Sequence, residues 1–292
     1  MLFTLYQIGI FLALYTPLRT GYAIACFVST LYNIFSVRDN RAIMENLQAI
    51  FPKQDKKSLE NIKNKIFVNF GKYLVDFFRF SLIDKNYIDR YVKIEGRYFL
   101  DEALSKGKGA ILASAHLGNW ELGGLVLAAI GAPLDVVALT HKHENVNIFF
   151  TEQRKQKGIG VIPVGAAVRR CFKSLYNNRA VALVCDRDYF DNGFGVDFFG
   201  RKTIIPKGPA LFSRRHSCPI VPVFMVRNHD DTFTLRILKP IEPVYTKDEH
   251  ADLIHITEDI VKVLESVIRE YPDQWFVFRR FWEKIGWGKG QR

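Results

Sequence analysis

A chain of 292 residues is long enough to bury one full core, or one core with an appendage. Hydrophobic residues make up 48% and charged residues 24%, a balance that excludes a disordered chain. The formal charge of +11, from 41 basic and 30 acidic residues, suits an anionic partner such as lipid headgroups, an acidic carrier protein or nucleic acid. No nucleic-acid-binding motif is present and the cations are spread along the chain, so no nucleic acid is expected as a partner.

Met1 to Tyr15 is almost wholly apolar, broken by Thr4 and Gln7. Pro17 and Arg19 interrupt the run, and Tyr22 to Phe35 is apolar again. Each run falls short of the roughly 20 residues of a spanning helix. The first is apolar on every face, unlike a surface helix, so residues 1–37 read as a membrane-associating anchor. Two buried core helices are one alternative. A single tilted span is the other, with Arg19 weighing against it. No basic residue precedes the run, so a signal peptide is not expected. Arg38 and Arg41 suit an anionic cytoplasmic leaflet.

Residues 38–91 read as a helical segment. Asp55 caps a long helix running to about Phe80, with Leu59, Ile62, Ile66, Phe70, Tyr73, Leu74 and Phe77 recurring at three or four. From Val92 onward, residues 92–292 read as an α/β domain with a largely parallel sheet flanked by helices. Its strands are Ala110–Ala115, Leu134–Leu139, Gly160–Pro163 and Ala180–Cys185, then a closing pair, Ile220–Val226 and Thr232–Leu238. Its helices are Trp120–Ile130, Asn145–Lys157, Ala166–Tyr176, Gly208–His216 and Glu249–Glu270.

The sharpest chemical feature is the buried strand Ala110–Ala115 running into His116-Leu117-Gly118-Asn119-Trp120-Glu121. It sets an imidazole at the carboxyl edge of a parallel sheet, where ligands bind in such folds. Asn119 can cap the next helix, and Glu121 falls in its first turn. A turn between strand and helix can bring Glu121 onto His116, giving a general base near neutral pH. The bland alternative is an edge histidine with a helix-cap glutamate. Asp186, Arg187 and Asp188 leave the strand Ala180–Cys185 at the same edge, as a site or as a solvated turn with a local ion pair. His141 and His143 lack acidic companions at metal spacing and read as a surface loop. The cysteines form no C-x-x-C pair, so zinc is not expected, and Cys26 and Cys185 read as reduced, buried thiols.

The block HLGNWELGG, from His116, resembles the glycerolipid acyltransferases with their His-x4-Asp/Glu motif. It is most similar to the bacterial lipid A late acyltransferases and the related phosphatidylinositol-mannoside acyltransferases. The likeness continues through Asp186–Gly200, Pro206–Val223 and Tyr271–Trp282, and extends to TPLRTGYAIA and to Asn46–Pro52, so it covers nearly the whole chain. It implies transfer of a fatty acyl group from acyl carrier protein or acyl-CoA to a glycolipid hydroxyl, at the cytoplasmic face of the inner membrane. No resident cofactor or metal is implied. His116 is implied to deprotonate the hydroxyl and Glu121 to orient His116. Arg154, matched on its helix, is implied to contact substrate; Asn119, Asp186, Arg187, Asp188 and Arg201 are the further candidate substrate contacts. A lipid A precursor is the first acceptor and a mannosylated phosphoinositide the second. Phe278 stands where the family often has His, and Phe190 follows Tyr189 where lipid A members often have Gly. A non-catalytic membrane scaffold or a nucleic-acid-binding protein are the readings from other classes.

Overall fold

The computed structural model describes residues 2–139, 144–188 and 192–282, with backbone only for 2–6, 144–146, 149 and 166. Five helices come first: α1 Leu2–Tyr15, α2 Leu18–Phe35, α3 Val37–Ile50, α4 Lys56–Phe78 and α5 Lys85–Tyr91. Asp55 caps α4 as expected, accepting the Ser58 amide at 3.0 Å. The α/β portion follows as β1 Val92–Glu95, α6 Arg97–Ser105, β2 Ala110–Ser114, α7 Trp120–Ala129, β3 Leu134–Ala138, α8 Glu144–Gln156, β4 Gly160–Pro163, α9 Ala167–Tyr176 and β5 Ala180–Val184. It ends with β6 Phe194–Phe198, β7 Arg201–Ile205, α10 Gly208–His216, β8 Ile220–Arg227, β9 Phe233–Ile237 and α11 Glu249–Glu270.

Seven strands form one sheet in the order β1-β9-β8-β2-β5-β3-β4. Every neighbouring pair is parallel except β8–β9. The expected pair Ile220–Val226 and Thr232–Leu238 forms near one end of the sheet, with β1 added beyond β9. A separate antiparallel hairpin, β6–β7, was not expected.

The sheet is buried on both faces, as a parallel sheet between helix layers must be. Ile111, Ala113 and Ala115 of the β2 segment pack with Leu175 of α9, Phe212 of α10 and Leu264 of α11. Ala110 and Leu112 face the other way, with Leu100 of α6, Leu125 of α7 and Phe150 of α8. Burying a side chain such as Leu112 contributes about 1.5–3 kcal/mol.

The N-terminal helices do not disappear into this core. Ala13 and Tyr22 pack against Val75 of α4, while Phe11, Tyr15, Phe27, Ile34, Phe35 and Val37 are more than half exposed. The reading of two buried core helices therefore fails. No single helix among the described residues is long and apolar enough to cross a membrane, and α2 and α3 meet at a 91° bend. Gly71 lets α2 lie close on α4: a Cβ there would stand 2.1 Å from Ser29 Oγ and 3.1 Å from the Ala25 carbonyl.

Candidate active site

Strand register assembles the site. β2 and β5 pair in parallel with Ser114 opposite Val184, and the Cys185 amide still donates to the Ser114 carbonyl at 2.8 Å. Two residues further on, His116 and Asp186 therefore face each other. His116 Nδ1 lies 2.8 Å from Asp186 Oδ1, and the His116 amide donates to Oδ2 at 3.1 Å. The Trp275 indole N–H donates to the same Oδ2 at 2.9 Å. Burial pushes the Asp186 carboxyl up, but the His116 charge, its ring N–H, the Trp275 indole and the His116 amide outweigh this and hold it below the usual carboxylate range. Asp186 is fully buried, whereas the His116 side chain is 23% exposed and faces a cavity.

Glu121 does not meet the imidazole as expected. Its carboxylate is gripped at both oxygens by Arg154, with Nε to Oε2 at 3.0 Å and Nη2 to Oε1 at 2.5 Å. A bidentate guanidinium pair is a stronger claim on a half-buried carboxylate than a single imidazole bond. Burial works against the Arg154 charge, but the Glu121 charge and bond raise its pKa above the ordinary guanidinium value.

The turn after His116 is fixed on every side. Gly118 has φ +63°, and a Cβ there would lie 2.0 Å from the Met225 carbonyl, so the position requires glycine. The Gly118 amide donates to the Gln274 carbonyl and the Asn119 amide to the Met225 carbonyl, both at 2.8 Å. The His116 carbonyl accepts the Phe276 amide at 2.8 Å. Asn119 caps α7 as expected, accepting the Leu122 amide at 3.1 Å. Its Nδ2 donates at 3.0 Å to Asp76, and the side chain is buried. Asn119, expected as a substrate contact, lies outside the cavity lining and holds these two bonds instead.

The cavity holds about 810 Å³, within the usual range for ligand pockets. Glu121, Arg154, Arg187, Asp188, Asn192 and Lys207 line it beside His116. Buried Leu112, Leu127, Phe150 and Ile159 close it with an apolar wall. Tyr73 of α4 stacks on Trp120 with ring centroids 4.6 Å apart, and both line the same space.

The remaining expected residues divide. Arg187 and Asp188 reach the cavity, and Asp188 also accepts the amides of Asn192 and Gly193 at 2.9 and 2.8 Å. Arg201 stands outside the cavity lining, with its guanidinium 5.6 Å from the Trp282 ring centroid. Tyr189, Phe190, His141 and His143 lie outside the described residues. Among the described residues no cluster of three His, Cys, Asp or Glu could hold a metal. Cys185 adjoins Asp186, but burial, then the Asp186 charge, pushes its thiol up to about 12, too high for a nucleophile. Sequence reasoning missed Trp275 and Asp76. The only local signal for Trp275 was an aromatic in the block Tyr271–Trp282.

A histidine held at a sheet edge, above a cavity with an apolar wall and a cationic rim, is suited to a substrate with a long apolar chain. Comparison with known proteins narrows this class to acyltransferases, and the enzyme is one. Residues 1–284 match the model of the bacterial lipid A biosynthesis acyltransferases, and the chain belongs to that family. It is 26% identical to a phosphatidylinositol mannoside acyltransferase of Mycolicibacterium smegmatis, over 82% of this chain and 78% of the relative. It is 34% identical to the protein of that name from Mycobacterium tuberculosis, over 53% of this chain and 51% of the relative. It is 23% identical to the lipid A biosynthesis palmitoleoyltransferase of Escherichia coli, over 89% of this chain and 85% of the relative.

Proposed function

We propose that the enzyme moves a fatty acyl chain from a thioester, on acyl carrier protein or coenzyme A, to a hydroxyl of a glycolipid at the cytoplasmic face of the inner membrane. The observation that carries this is the His116–Asp186 pair opening onto the apolar-walled cavity. Asp186 holds the proton on Nδ1, which leaves Nε2 as the basic nitrogen. Nε2 takes the proton of the acceptor hydroxyl as its oxygen attacks the thioester carbonyl. A carbon–oxygen bond forms, the carbon–sulfur bond breaks, and His116 returns the proton to the departing thiolate. No acyl-enzyme and no resident cofactor are needed. Glu121 serves by holding Arg154 at the cavity wall, where Arg154, Arg187 and Lys207 meet anionic parts of donor or acceptor.

A lipid A precursor is the first acceptor, supported by the family match across residues 1–284. A mannosylated phosphoinositide is the second, supported by the 34% identity over 160 residues to a relative so named. Mass spectrometry of membrane glycolipids with and without the gene separates them. A missing acyl mass on a glycolipid is expected; unchanged glycolipids would refute the reading.

The exposed apolar face of α1 and α2 lies in the lipid interface without spanning it. Exposed Arg19, Arg38 and Arg41 beside this face complement anionic headgroups. Phe27→Glu with Phe35→Glu is a cleaner test than deleting residues 1–36, because α2 also packs on α4. The double variant is expected to stop floating with phosphatidylglycerol vesicles; undiminished flotation would sink the assignment of this face.

A further inference from the structure

Behind the His116 turn lies a second polar cluster, sealed from the cavity. Asp76 of α4 receives three donors from three separate segments. The Tyr22 hydroxyl of α2 donates to Oδ1, and Asn119 and Arg227 donate to Oδ2. Arg227, at the end of β8, also donates to the Tyr22 oxygen at 3.0 Å. Its backbone is clasped by the Gln274 side chain, with bonds of 2.8 and 2.9 Å. The Asp76 and Arg227 side chains are 1% and 6% exposed. Burial works against the Arg227 charge, but Asp76 and Tyr22 hold its pKa above the ordinary guanidinium range.

Such a cluster is a poor device for stability alone, since apolar side chains of similar volume often serve as well. Its connections suggest another use. Asn119 holds Asp76 with one end and caps α7 with the other, three residues after His116. Tyr22 belongs to α2, whose outer face is the exposed apolar surface. The close crossing at Gly71 ties α2 to α4, and α4 carries Asp76 together with the cavity-wall residues Phe70, Tyr73 and Phe77.

We propose that Asp76 is a positioning residue for acyl transfer and that Tyr22 joins α2 to it, so that seating the apolar face of α2 on a lipid surface sets the turn that carries His116. The inference rests on the acyl-transfer and interfacial readings above. It makes turnover depend on the physical state of the surroundings, through a path that touches no substrate.

The test compares wild type with Tyr22→Phe, which removes one hydroxyl and leaves Asp76 its two nitrogen donors. Asp76→Asn is a second, harsher variant. Thiol release from palmitoyl-CoA is followed with total membrane glycolipid of the producing cells. The glycolipid is presented in phosphatidylethanolamine–phosphatidylglycerol vesicles or dispersed in nonionic detergent. Wild type is expected to gain about tenfold in kcat on vesicles, an ordinary coupling strength, and Tyr22→Phe less than about twofold. KM for palmitoyl-CoA and vesicle flotation should be unchanged in the variant. Modification of His116 by diethyl pyrocarbonate, read by peptide mass, needs no turnover. Vesicles should change its rate in wild type more than in Tyr22→Phe. Equal vesicle responses of the two proteins in both measurements would overturn the proposal. So would a fall in kcat that is the same in vesicles and detergent and follows a lowered Tm. If wild type releases no thiol but its His116 still responds to vesicles through Tyr22, the coupling stands and palmitoyl-CoA falls as the donor.

Discussion

Asp186 and Asp76 invite comparison. Each is fully buried and each accepts three hydrogen bonds. The basic group each faces differs. Asp186 meets an imidazole that can gain or lose its proton and is 23% exposed at a cavity. Asp76 meets a guanidinium that keeps its proton and is 6% exposed. The first pair can pass a proton to and from a substrate, whereas the second can only hold position. One design, a buried carboxylate in a cage of donors, faces a titratable base open to a cavity in one case and a closed guanidinium in the other.

The largest effect should fall on the open pair. His116→Ala is expected to lower kcat by about 10⁴, the upper range for a general base, in a steady-state assay, with flotation on vesicles retained. Near-normal turnover would remove His116 from the chemistry. The closed pair should answer in stability. Arg227→Met leaves Asp76 buried without its cation and should cost about 3–5 kcal/mol in urea unfolding. A loss below about 1 kcal/mol, the scale of a surface pair, would mean that the two carboxylates are not differently used.

Asp186→Asn should lower kcat by about a hundredfold, because an amide can present a donor to Nδ1 and unsettle the tautomer. KM should change little. If Glu121→Gln proved as damaging to kcat while Asp186→Asn did not, the roles assigned here would be reversed. Trp275→Phe removes one of three donors to Asp186 and should cost about 1 kcal/mol of stability by thermal unfolding.

The smallest effect concerns pH. The Asp186 pKa is lowered in the folded protein, so its contribution to stability is present above the unfolded carboxylate value and is lost as pH falls toward the folded value. The stability gap between wild type and Asp186→Asn should therefore narrow as pH falls below about 4, where an unfolded carboxyl takes up its proton. A gap that widened on acidification would contradict the depressed pKa.

Much of this could be read from the sequence because it is local. Short apolar runs marked β2, β3 and β5, and periodicity marked α4 and α11 with its bounds. His116 and Asp186 were both placed at the same sheet edge. The contact between them was not, because five-residue spacing is visible in a line of sequence while a register across 70 residues is not. Glu121 was therefore given the place that Asp186 holds. Asp76 and Arg227 escaped for the same reason, being 151 residues apart. The apolar N-terminus was legible as composition. Only packing on α4 showed which side of it stays open.

The parallel register of β2 and β5 has a consequence for how such a chain can change over generations. The connections that follow α7, at residues 130–133 and at residues 177–179, could lengthen or shorten without disturbing the pair, provided the two strands keep their starting points. One residue added within either strand would turn His116 or Asp186 to the opposite side of the sheet, since side chains alternate. Insertions should be tolerated in those connections and purged from residues 110–116 and 180–186. Aligning relatives by those two strands, and not by the motif alone, would recover the acid that belongs to each histidine.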